Sequence, residues 1–150
     1  MGSEMCIRDS CLSYLTQTAD LAPDQIVRKM GRRVYGCDVC QEVCPYNKAA
    51  PKIGDRAFTP SVVDPHADLL DLISMDQRRF EETVGQTSAG WVGRSVIQRN
   101  AIIALADYKD PETLPIVENL QADERPLISN ASRWAAKAIR GGTSLQEQSS

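Results

Sequence analysis

The chain has 150 residues, 42% of them apolar and 25% charged, with a formal net charge of −3. That composition suits a globular chain of one domain or two small ones, and no window approaches the roughly 20 consecutive apolar residues of a membrane-spanning helix or reads as a secretory signal peptide. A cytoplasmic address is therefore expected, and the acidic balance argues against a protein that coats nucleic acid by bulk charge.

Met5-Cys6-Ile7-Arg8-Asp9-Ser10, preceded by Gly2-Ser3-Glu4, reads like a translated sequencing adapter. Residues 1–10 are accordingly expected to be a non-native leader, with the natural reading frame open at its left end. Residues 11–50 carry the remaining cysteines. Within them Pro23 and Asp24 open a short helix with Ile26, Val27 and Met30 on one side and Gly31 at its end. Arg28, Lys29, Arg32 and Arg33 make that end basic, where positive charge is favoured. Cys37 to Cys44 follow in a turn-rich loop. Residues 51–64, with Pro51, Gly54 and Pro60 and no periodicity, read as an ordered linker.

Residues 65–141 are expected to be helical. Asp64-Pro65 caps a helix that buries Leu69, Leu70 and Ile73. Ser74-x-x-Gln77 has the form of a capping box, opening a second helix with Phe80 and Val84 and ending at Gly85. Ile97, Ala101, Ala104, Leu105 and Tyr108 form the single apolar stripe of a third. Lys109-Asp110-Pro111 stops it and caps a fourth, which carries Ile116, Val117 and Leu120 and tolerates Pro115 near its start. A fifth, opened by Pro126, carries Leu127, Ala131, Trp134, Ala135 and Ala138 and is expected to end at Gly141 and Gly142, leaving 142–150 as a disordered tail. Asn100-Ala101 and Asn130-Ala131 recur at a spacing of 30. That recurrence suggests stacked hairpins of a compact HEAT type, with a plain helical bundle as the alternative. The single histidine, His66, is expected to be a solvated capping residue.

Apart from Cys6, the chain has four cysteines, three of them in the run Cys37-x2-Cys40-x3-Cys44-Pro45. This is ligand spacing rather than a disulfide framework. It matches the last three slots of the ferredoxin run C-x2-C-x2-C-x3-C-P, whose first three cysteines hold one 4Fe-4S cluster and whose fourth holds the neighbouring one. The first slot falls on Val34, which cannot ligate, so Cys11 is the candidate to fill the vacancy. Four cysteines could also bind zinc, although the C-x3-C-P ending is an iron–sulfur habit. No phosphate loop, H-E-x-x-H, G-x-S-x-G or dinucleotide fingerprint is present.

Three segments, Cys11-Leu12-Ser13-Tyr14-Leu15-Thr16, Met30 to Cys40, and Cys44-Pro45-Tyr46-Asn47-Lys48, resemble the epoxyqueuosine reductases, a family of cobalamin-dependent iron–sulfur enzymes. Gln98-Arg99-Asn100-Ala101, followed by Ile102 to Leu105, resembles the start of that family's helical-repeat domain. The resemblance runs from Cys11 to Ile139 and implies a mainly α chain, a ferredoxin-like 4Fe-4S cluster-binding segment followed by HEAT-like helical repeats. It implies two-electron reduction of epoxyqueuosine in tRNA to queuosine, the last step of queuosine biosynthesis, with two 4Fe-4S clusters relaying electrons to cobalamin. By the same resemblance Cys11, Cys37 and Cys40 ligate one cluster and Cys44 the other. Ser13 and Asp38 become candidate cobalamin contacts, and Lys48, Arg94, Arg99 and Asn100 candidate tRNA contacts.

The expected partners are the anticodon region of tRNA and a low-potential electron donor, for a monomer that contacts no membrane. Arg32 stands where the family often has asparagine, Val39 where it often has aspartate, and Tyr46 where it often has tryptophan. The family's cobalamin-binding domain, its acidic proton donor and its first cysteine run would precede Cys11. A C-terminal fragment, inactive by itself, is therefore expected. The alternatives are a stand-alone electron-transfer domain that docks a protein partner and a dehalogenase-type corrinoid reductase, which would not carry helical repeats.

Overall fold

In a computed structural model the described residues are 11–19, 24–49 and 67–146. They are helical and contain no strand: α1 (Leu12–Leu15), α2 (Asp24–Met30), α3 (Val39–Glu42), α4 (Leu69–Ser74), α5 (Gln77–Glu82), α6 (Arg94–Asp107), α7 (Leu114–Asn119) and α8 (Pro126–Gln146), with 3-10 turns between several of them. The expected leader with Cys6, the linker, the Asp64-Pro65 cap and His66 lie outside the described residues. No described helix is long and apolar enough to cross a membrane.

Helix α6 is the axle of the fold, because every residue from Val96 to Ala106 is buried, Gln98, Arg99 and Asn100 included. The single stripe expected for it is too narrow. Helices α4 and α8 and the cysteine-bearing segment cover it from different sides, and Tyr108 sits exposed at its C-cap. The main core joins Leu72, Ile73, Phe80, Val84, Ile97, Ile102, Val117, Ile128 and Ile139. Ala101, Ala131 and Ala135 have no exposed surface, and their small side chains let α6 and α8 approach closely. A second cluster of Val27, Met30 and Ile103, flanked by Leu12 and Trp134, seats α1 and α2 on the axle.

Helix ends follow local chemistry. Asp68 caps α4 by accepting from the Leu70 amide at 2.8 Å, and Asp76 caps α5 by accepting from the Arg79 amide at 2.7 Å. The expected capping box at Ser74 is therefore corrected: its hydroxyl donates back to the Leu70 carbonyl at 2.9 Å and closes α4. Gly31, at φ 55°, ends α2 as expected, and Lys109, at φ 54°, reverses the chain after α6. Asp110 then caps the turn before α7, accepting from the Glu112 amide at 3.0 Å. Gly141 does not stop α8, which continues to Gln146 and so shortens the expected tail. Glycine ends a helix where a left-handed residue is needed, and Gly141 does not take that conformation.

At the N-terminal end of α6 a polar network replaces apolar contact. Gln98 Nε2 donates to the Ile73 and Met75 carbonyls at 2.7 and 3.0 Å. Arg125 reaches Gln98 Oε1 at 2.7 Å and pairs with Asp123 at 2.7 Å. The hydrogen bond from Arg125 holds the Asp123 carboxyl below its ordinary 3.8, outweighing the opposing effect of burial. The folded value lies below the unfolded one, so this stabilisation is whole above pH 3.8 and disappears as the pH falls through the folded value. Asp123→Asn is expected to lower stability by about 1 kcal/mol at neutral pH. Urea midpoints of the two proteins should differ at neutral pH, and the difference should shrink as the pH is lowered through the folded value of Asp123.

Candidate metal centre

Cys11 is the exposed N-cap residue of α1. Cys37 follows Gly36, whose φ of 73° turns the chain into the cysteine loop. Cys40 lies exposed in the first turn of α3, and Cys44 lies half-buried just beyond that helix. The loop folds back on itself, since Asn47 Nδ2 donates to the Gln41 carbonyl and side chain at 3.1 and 2.8 Å. All four described cysteines are free thiols. Cys37 and Asp38 share the wall of an open depression of about 430 Å³ with Arg33, Tyr35, Gly36, Val39 and Glu42. Among the described residues no three His, Cys, Asp or Glu side chains converge closely enough to hold a metal ion by themselves. Unpaired, accessible thiols beside open space nonetheless fit a thiolate-bound cluster that draws ligands from separate segments.

Two buried side chains of α6 organise these segments. Asn100 Nδ2 donates to the Thr16 carbonyl and to the Val34 carbonyl, both at 2.7 Å. Arg99 donates to the Thr18 carbonyl at 2.8 Å, to the Leu15 carbonyl at 3.1 Å and to Asn100 Oδ1 at 2.9 Å. The carbonyl that ends α1 and two in the turn beyond it thus find donors in the middle of another helix. Thr16 Oγ1 accepts from the Gly36 amide at 3.0 Å, which joins the Cys11 segment to the Cys37 loop directly. Val34, in the slot where a ferredoxin has its first cysteine, packs against the core.

These positions correct two of the sequence expectations. Arg99 and Asn100, read as tRNA contacts, are 1% and 0% exposed and direct their donors inward to backbone carbonyls. Arg94 is half-buried and donates to the Met75 carbonyl at 3.1 Å. Of the four candidates only Lys48 lies exposed, in the 3-10 turn Asn47–Ala49. Ser13 Oγ accepts from Gln17 Nε2 at 3.0 Å, whereas Asp38 is the exposed N-cap residue of α3 and its side chain makes no capping hydrogen bond.

Sequence reading missed the docking contacts. Arg32 donates to Asp107 at 3.2 Å and stacks over Tyr108 at 4.1 Å. Tyr35 donates to the Ser88 carbonyl at 2.9 Å and accepts from Trp91 Nε1 at 3.3 Å. The basic run before the loop was the visible signal, but its partners lie far along the chain.

Fold and cysteine spacing together define an iron–sulfur segment seated on a helical domain: residues 2–47 match the family model for a 4Fe-4S double cluster binding domain. That match begins inside the segment expected to be a leader. Beyond this class, the chain is homologous to the epoxyqueuosine reductases. It is 38% identical to the one from Staphylococcus aureus over 143 residues, covering 94% of this chain and 37% of the relative. It is 41% identical to that of Bacillus subtilis over 130 residues, covering 86% and 34%. A crystal structure of an epoxyqueuosine reductase with an epoxyqueuosine-modified tRNA-Tyr stem loop superposes with a TM-score of 0.77 at 41% identity, over 86% of this chain and 35% of that one. The chain thus spans about a third of the length of the curated relatives it matches.

Arg99→Ala is expected to cost about 3 kcal/mol of stability, because it removes a buried charged donor from the Leu15 and Thr18 carbonyls and from Asn100 Oδ1. Denaturant unfolding measures that loss.

Proposed function

We propose that this chain is the cluster-binding and helical part of an epoxyqueuosine reductase, acting in the reduction of epoxyqueuosine in tRNA to queuosine. The observation that carries the reading is that one homologous alignment spans both the double-cluster segment and the helical domain, with the helices superposing on a tRNA-bound relative. Cys11, Cys37 and Cys40 hold one 4Fe-4S cluster and Cys44 contributes to its neighbour; the free thiols and the ferredoxin-type spacing support this. Cobalamin, when bound, supplies the reducing centre for the epoxide. Of the two candidate contacts to it, Asp38 is the better placed, sharing a depression with Cys37 while the Ser13 hydroxyl is engaged by Gln17.

Lys48, exposed beside the cysteine loop, is suited to a tRNA phosphate. A ferredoxin-like path for the segment and a HEAT-like stack for α6 to α8 complete the architecture. A tRNA substrate supports a cytoplasmic address, with electrons arriving from a low-potential donor.

A second reading is favoured by one feature. Val39, Val43 and Tyr46 are 40%, 67% and 88% exposed around the cysteine loop, an apolar surface suited to a protein partner of a stand-alone electron-transfer domain. A gel shift with an epoxyqueuosine-modified tRNA stem loop separates the two. The reductase reading expects binding that weakens with salt and is reduced by Lys48→Ala. Absence of binding at low salt supports the docking reading instead. Iron analysis after anaerobic reconstitution is expected to give fewer than about eight irons per chain, the content of two complete clusters.

A further inference from the structure

We infer that Asn100 is a positioning residue for the metal centre. It fixes Cys11 relative to the Cys37–Cys40 loop, so that metal loading and docking of the cysteine segments onto α6 are a single coupled event. The inference rests on the assignment of Cys11, Cys37 and Cys40 to one site. Those thiols come from two segments, and the chain between them does not by itself set their distance, because loop closure depends only weakly on length. Both segments meet at one amide. Asn100 Nδ2 donates to the Thr16 carbonyl, five residues after Cys11, and to the Val34 carbonyl, three residues before Cys37. Each tether thus lies at most five residues from a ligand along the backbone.

The amide is fully buried, and its oxygen is held by Arg99 Nε at 2.9 Å, which fixes which way its donors point. The Gly36 amide, bonded to Thr16 Oγ1, closes the arrangement from the other side. A metal held by both segments favours the arrangement that Asn100 bonds, and by linkage the Asn100 arrangement favours the metal. Gln98 provides an internal control. It is buried on the same helix and also donates to two carbonyls, but these belong to Ile73 and Met75, away from the cysteines.

The test is anaerobic reconstitution of the reduced, full 150-residue chain with Fe2+ and sulfide, read at saturation by sulfide-to-iron charge-transfer absorbance. Cys11→Ser is expected to lower the saturating absorbance, because the site loses one of its thiolates. Asn100→Ala should fall to the same level although all its cysteines remain, while Gln98→Ala keeps the wild-type absorbance. If far-UV circular dichroism shows Asn100→Ala unfolded, Thr16→Val, which removes the acceptor for the Gly36 amide at nearly constant shape, is read against the same levels. Full absorbance in the folded Asn100 or Thr16 variant, or an equal loss in Gln98→Ala, overturns the positioning role. A Cys11→Ser protein indistinguishable from wild type overturns the ligand assignment itself, and the inference with it.

Discussion

An arginine and an asparagine, adjacent in the middle of a buried helix, hold the backbone carbonyls of Leu15, Thr16, Thr18 and Val34. The arrangement of the cysteine-bearing segments depends on this contact. A guanidinium with 1% exposure is tolerable only where its donors are satisfied, because burying a charged group without partners costs several kcal/mol. Here the satisfaction is mutual. A four-residue helix such as α1 has no independent stability, and Arg99 and Asn100 tie its end and the turn that follows it to α6. The contacts of Val27 and Met30 with Ile103 supply apolar adhesion nearby, and the polar pair adds direction to it.

Local chemistry was largely legible in the sequence. Gly31 ends its helix, Asp110 caps the turn before α7, and Val117, Ala131 and Ala135 are buried where the pattern put them. Reading failed where a residue's job is set by something distant. Ser74 and Asp76 both suit a cap, but only Asp76 has the extended backbone that aims its carboxylate at the amides of α5. Gly141 looked like a stop, yet nothing at that position requires a left-handed residue.

The misreading of Arg99 and Asn100 is the most instructive case. Polar residues in a helix with one apolar stripe ordinarily mark its solvated side. That rule breaks for α6, because segments distant in sequence, up to 84 residues away at Arg99 and Leu15, cover its remaining faces. The repeat between Asn100 and Asn130 is likewise a likeness of letters more than of roles: Asn130 is exposed and accepts from Arg133 at 2.7 Å, while Asn100 is buried. The cysteine run stands out in the sequence because its spacing is local. The tie between the Cys11 segment and that loop does not, since it runs through a helix more than 60 residues downstream of Val34.

Gln98 and Asn100 lie two positions apart on α6, which places them about 200° apart around its axis. One is locked to the turn after α4 and the other to the cysteine segments. A shaft keyed on opposite sides can neither spin nor slide, for a slip of one residue would rotate both amides about 100° away from their carbonyls at once. The register of α6 is therefore indexed from two directions, and the helix serves the rest of the molecule as a ruler whose zero mark cannot drift.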